Sequence, residues 1–86
     1  MPYLYSSSVK FESNLRKIKK RNKILFERVI RKIEEILDQP EIYKPLKYDL
    51  AGSRRVHFGS QVMTFEIKGN TIKFLEIEHH DKVYRR

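Results

Sequence analysis

The chain has 86 residues, a net charge of +8 and no cysteine, so it encodes one small domain, residues 1–86, with no disulfide framework and no thiolate metal site. No apolar run approaches the ~18–20 residues a membrane helix needs, and no basic-then-apolar leader is legible, so the expected location is the cytoplasm, away from membranes. The positive charge predicts attraction to polyanions such as nucleic acid, ribosomal surfaces or an acidic protein segment. Abundant Ile, Lys, Glu and Arg without Cys or Trp point to a heat-adapted source.

Tyr3, Leu4 and Tyr5 predict a short first strand. Ser6, Ser7 and Ser8 offer an N-cap for a helix carrying Phe11, Leu15 and Ile18 at helical spacing. Asn22 interrupts that pattern and can cap a second helix, whose stripe is Phe26, Val29, Ile30, Ile33 and Leu37. Pro40 ends it, because proline lacks the amide the helical ladder needs. Residues 41–49 read as a connector broken by Pro45, and from Arg54 the apolar period changes to two.

Val56 and Phe58 alternate with Arg55 and His57, and Met63, Phe65 and Ile67 alternate with Val62, Thr64 and Glu66. Gly59-Ser60 and Gly69-Asn70 are turn signals, and the last apolar run, residues 72–77, reads as a central strand. The expected fold class is α+β: a short N-terminal strand, a two-helix hairpin, then a three-stranded antiparallel meander, with both helices on one sheet face. That parity sends Arg55 and His57 to an open face shared with Val62 and Thr64.

The chain ends in Glu78-His79-His80-Asp81-Lys82-Val83-Tyr84-Arg85-Arg86, and a second polar cluster, Arg54, Arg55 and His57, lies on an earlier strand. Imidazoles near neutral pKa and guanidiniums that present a planar fork to phosphate are what metal-free RNA cleavage uses. His79 and His80 alternate along one strand, so they cannot easily share a metal, and no metal or cofactor is expected.

Three motifs in order resemble the RelE/ParE toxin superfamily, specifically its RelE-like mRNA interferase branch. They are the basic hairpin closing at Leu37-Asp38-Gln39-Pro40, the run Leu50-Ala51-Gly52-Ser53-Arg54-Arg55-Val56-His57-Phe58-Gly59, and the ending Val83-Tyr84-Arg85. The resemblance implies a β-α-α-β-β-β fold and a toxin held by a RelB-like antitoxin. It implies cleavage of mRNA in the ribosomal A site by 2′-hydroxyl attack, leaving a 2′,3′-cyclic phosphate. It also carries catalytic roles onto Arg55, His57, His80 and Tyr84, with Arg54, Lys82, Arg85, Arg16, Lys19, Lys20 and Lys23 as RNA or ribosome contacts.

Arg55 and Arg85 suit charge stabilisation, Tyr84 suits 2′-hydroxyl orientation or stacking, and His57 or His80 suits proton transfer. One departure stands out: Gly59-Ser60-Gln61 leads to Val62 where the family places a strand arginine. That departure keeps two other expectations in view. One is a ParE-like gyrase inhibitor; the other is a ribosome- or RNA-binding relative with weakened catalysis.

Overall fold

In the computed structural model, which describes residues 3–44 and 53–79, Ser8 ends one element and starts the next. It follows strand β1 (Leu4–Ser7) and precedes helix α1 (Val9–Arg21) in extended conformation. Its Oγ accepts from the Phe11 amide at 3.0 Å and donates to the Leu75 carbonyl at 2.6 Å. One hydroxyl therefore caps the helix, a contact worth about 1 kcal/mol, and pins its start to the last strand.

Asn22 has two jobs. Its amide closes α1 on the Ile18 carbonyl at 2.8 Å, and its Oδ1 accepts from Leu25 at 3.0 Å to begin α2 (Lys23–Asp38). A single extended residue thus joins the hairpin. Lys19, Lys20 and Arg21 fill the last turn of α1, where the helix dipole favours cations. Beyond Asp38, Pro40 opens a one-turn 3-10 helix (Pro40–Ile42). The expected caps and the expected stop are all present.

The sheet has four strands: β1, then β2 (Ser53–Phe58), β3 (Gln61–Lys68) and β4 (Thr71–His79), in the spatial order β1-β4-β3-β2. β1 pairs parallel to β4, while β4–β3 and β3–β2 are antiparallel, so the sheet is mixed and β4 is indeed central. Gly59 and Gly69 take φ of 59° and 61°, the left-handed conformation that two-residue hairpin turns require.

The core lies between the hairpin and one sheet face. Phe11, Val29, Ile33 and Ile36 meet Val56, Met63, Phe65, Ile72, Phe74 and Ile77. The stripe of α2 is centred on Val29, Ile33 and Ile36, so Phe26, Ile30 and Leu37 from the expected stripe are only half-buried. Phe74 links Phe11 at 5.3 Å and Phe65 at 5.9 Å between ring centroids. Its truncation would cost about 3–5 kcal/mol, a large part of the 5–15 kcal/mol that holds a domain of this kind together.

One irregularity controls the other face. Thr64 pairs with Glu76 but Phe65 pairs with Phe74, which leaves Leu75 as an extra residue in β4. This β-bulge reverses the alternation of β4 midway. Ile72 and Phe74 face the helices before it, and Ile77 does so after it.

Candidate active site on the outer sheet face

Backbone pairing sets three parallel rows across the sheet face turned away from the helices. They are Ser53–Glu66–Lys73, Arg55–Thr64–Glu76 and His57–Val62–Glu78. Directly paired residues project to the same side, so each row is a set of neighbours. Arg55 and His57 share this face with Val62 and Thr64, as their parity requires. The centre of the face is not open, however: Val62 is fully buried and Thr64 is 7% exposed, although neither belongs to the core cluster beneath the hairpin.

The bulge brings in two carboxylates that simple alternation would send to the helix side. Glu76 and Glu78 are half-buried, and Lys10 of α1 reaches them. Its Nζ lies 2.7 Å from Glu76 Oε1 and 3.6 Å from Glu78 Oε2. The Glu76 hydrogen bond, aided by the charges of both carboxylates, raises the Lys10 pKa above its ordinary 10.5, so the ammonium persists through neutral pH. Lys10 can approach because β1 pairs with β4 only as far as Phe74, after which α1 runs along the vacated edge.

Thr64 Oγ1 and Ser53 Oγ are buried and have no hydrogen-bond partner among the described residues. Such hydroxyls cost about 1–3 kcal/mol each to bury unpaired, which is tolerated most readily where a ligand group supplies the bond.

Arg54 is not part of this face. It pairs with Phe65 on the helix side, and its guanidinium donates to the carbonyls of Tyr43 and, at 3.4 Å, Glu41. The structure therefore separates Arg54 from Arg55 and His57 and ties it to the chain after α2. His79 is exposed at the end of β4 on the helix side, where it lines a groove with Asn14, Lys17, Arg21 and Gln61 that Glu78 also borders at the strand edge. Arg16, Lys19, Lys20 and Lys23 are exposed on the hairpin, with Lys19 Nζ 5.6 Å from the Phe26 ring centroid. His80, Lys82, Tyr84 and Arg85 lie outside the described residues.

Sequence reasoning missed Lys10 and Glu76, and it named Thr64 and Glu78 without giving either a role. A signal existed in the spacing of Glu76 and Glu78, but the bulge hid which face they join. Among the described residues the outer face carries Arg55, Lys10, Lys68 and Lys73 against Glu66, Glu76 and Glu78, with Lys68 Nζ 3.4 Å from Glu66 Oε1. Among the described residues, no group of three or more His, Cys, Asp or Glu side chains could hold a metal, and no helix is long and apolar enough to cross a membrane.

Residues 5–84 match the family described as the ParE toxin of the type II toxin–antitoxin system. A Methanocaldococcus jannaschii protein named "Putative toxin RelE4" is 36% identical over 75 residues, spanning 84% of this chain and 80% of its own. Among solved structures, the RelBE2 toxin–antitoxin complex of Mycobacterium tuberculosis is similar, with a TM-score of 0.77 at 20% identity over 92% of this chain and 99% of that one. A YoeB/ParE toxin from Agrobacterium tumefaciens also gives 0.77, at 13% identity over 90% of this chain and 98% of its own. At those identities the structural likenesses establish the fold.

Proposed function

The chain belongs to the RelE/ParE superfamily of type II toxin–antitoxin toxins, and from that premise we propose that it is a metal-independent endoribonuclease cutting mRNA in the ribosomal A site. The observation that carries the reading is the pair of adjacent rows, Arg55–Thr64–Glu76 and His57–Val62–Glu78. They place a guanidinium, an imidazole and a carboxylate together on a face that the helices leave uncovered. Attack by the ribose 2′-oxygen needs a proton acceptor, a proton donor and a counter-charge for the non-bridging oxygens.

Arg55 supplies charge and His57 a proton, and His80 and Tyr84 complete the catalytic set from the tail. Arg16, Lys19, Lys20 and Lys23 on the hairpin, with Lys82 and Arg85, hold RNA and ribosome. Arg54 contributes by anchoring the strand that bears Arg55. The likeness to the RelE4 toxin and to a RelBE2 complex supports a RelB-like antitoxin partner, and the ribosomal target places the protein in the cytoplasm.

Primer extension on a messenger in a translation mixture with programmed ribosomes tests this. A cut within the A-site codon, lost in His57→Ala and in Tyr84→Phe, is the expected result. Ribosome binding without a cut would identify a relative with weakened catalysis. No cut and no ribosome binding would overturn the assignment.

Val62, which takes the place of a strand arginine, together with the ParE description of the matching family, favours gyrase inhibition as the second reading. A supercoiling assay decides it: unimpaired gyrase at micromolar protein removes that option.

A further inference from the structure

We propose that Glu78 is the proton acceptor for the attacking 2′-hydroxyl, with His57 the proton donor to the leaving 5′-oxygen on the other side of Val62. The inference rests on the ribonuclease reading above and adds a catalytic residue to it.

The geometry comes from one row of the sheet. His57 pairs with Val62, and Val62 pairs with Glu78, so the strand positions bearing the imidazole and the carboxylate lie on either side of a buried apolar residue. Two strand spacings put their backbones roughly 10 Å apart. In-line displacement at phosphorus needs base and acid on opposite sides of the reacting centre, and this row supplies that arrangement. The adjacent row offers Arg55 for the non-bridging oxygens and Thr64, whose hydroxyl is buried with no hydrogen-bond partner among the described residues.

Glu78 rather than Glu76 fits the role. Glu76 is hydrogen-bonded directly to Lys10 at 2.7 Å, whereas Glu78 Oε2 is 3.6 Å from the same ammonium. Glu78 is thus less tightly engaged by Lys10 and retains carboxylate lone pairs for a proton. Glu76 is the anchor that holds Lys10 in place.

The step balances. The 2′-O–H proton passes to the Glu78 carboxylate as the 2′-oxygen bonds to phosphorus. The P–O5′ bond breaks, and the His57 imidazolium protonates the departing oxygen. The products are a 2′,3′-cyclic phosphate and a 5′-hydroxyl, and water returns both groups to their starting states. A valine in the middle of the row serves this couple, because an arginine there would pair with Glu78 and silence it.

The test uses a messenger on programmed ribosomes, with the oxygen leaving group at the mapped cut replaced by sulfur, which departs without a proton donor. On ordinary RNA, Glu78→Gln and His57→Ala are each expected to lower the single-turnover rate by about 100-fold or more. On the sulfur substrate His57→Ala recovers to near the wild-type rate and Glu78→Gln does not. Glu78→Asp, which keeps a carboxylate, retains more activity than Glu78→Gln. Thermal melts of each variant exclude misfolding as the cause.

Glu78→Gln cutting ordinary RNA within threefold of wild type would overturn the assignment, as would its rescue by sulfur. Failure of the wild-type protein to cut either substrate would instead overturn the ribonuclease reading, and the inference with it.

Discussion

Asn14 Oδ1 accepts a hydrogen bond from the Ile77 amide at 3.2 Å, so a helix side chain closes the edge of β4 where β1 has already ended. An exposed strand edge invites pairing with other chains, and here α1 covers it. Ser8, at the start of the helix, covers the same edge by donating to the Leu75 carbonyl. The contact also fixes α1 at the distance from which Lys10 reaches Glu76 and Glu78.

Replacing Asn14 therefore tests the link between helix and site. Asn14→Ala leaves a part-buried amide unpaired and should cost about 1–3 kcal/mol in urea unfolding. Asn14→Asp retains the acceptor and should lose less. An Asn14→Ala midpoint equal to wild type would mean the bond contributes nothing.

Arg54 and Arg55, adjacent in sequence, should respond oppositely. Arg54→Ala removes the donor to two carbonyls and is expected to lower the melting temperature by several degrees, since about 1 kcal/mol shifts a domain of this size by roughly 4–8 °C. Arg55→Ala should leave the melt nearer to wild type and lower RNA cleavage by about tenfold or more. Equal effects of the two on cleavage at matched stability would contradict the split between faces.

Val62→Arg restores the residue type that the family resemblance leads one to expect. Buried between His57 and Glu78, the guanidinium would pair with the carboxylate, so cleavage should fall by at least tenfold in protein that still shows a cooperative melt. A gain in cleavage would show that valine marks a weakened centre rather than the floor of an acid–base couple.

Glu12 gives the fold a pH dependence. The Ser7 hydroxyl and, at 2.8 Å, the Tyr5 phenol both donate to its Oε2. These bonds, Ser7 foremost, and the nearby Arg16 hold its carboxyl below the ordinary 4.5. A carboxyl depressed in the folded state adds stability that is present above its unfolded pKa and lost as pH falls through the folded value. Wild type should thus be more stable than Glu12→Gln at pH 7, with the gap closing below roughly pH 5. A gap unchanged down to pH 3 in urea titrations would sink the prediction.

The caps at Ser8 and Asn22, the stop at Pro40 and the turns at Gly59 and Gly69 were legible because each depends on the chemistry of one or two local residues. Arg55 and His57 were placed on the correct face because the alternation of β2 is uninterrupted. Only adjacency in sequence groups Arg54 with them; a guanidinium long enough to find carbonyls across the fold does not declare its partner in sequence.

By itself, then, the sequence determined the α+β element order, the core that Phe11, Val29 and Ile33 share with the strands, and the basic charge of the hairpin, since all three follow from local propensity and period. Only the tertiary structure decided which carboxylates join the candidate site. The bulge at Leu75 reverses the faces of β4, and it is defined by how Thr64 and Phe65 pair across strands rather than by any residue within the strand. It likewise decided the position of Lys10, whose ammonium meets Glu76 from a residue 66 positions away because α1 lies on an edge that β1 leaves free.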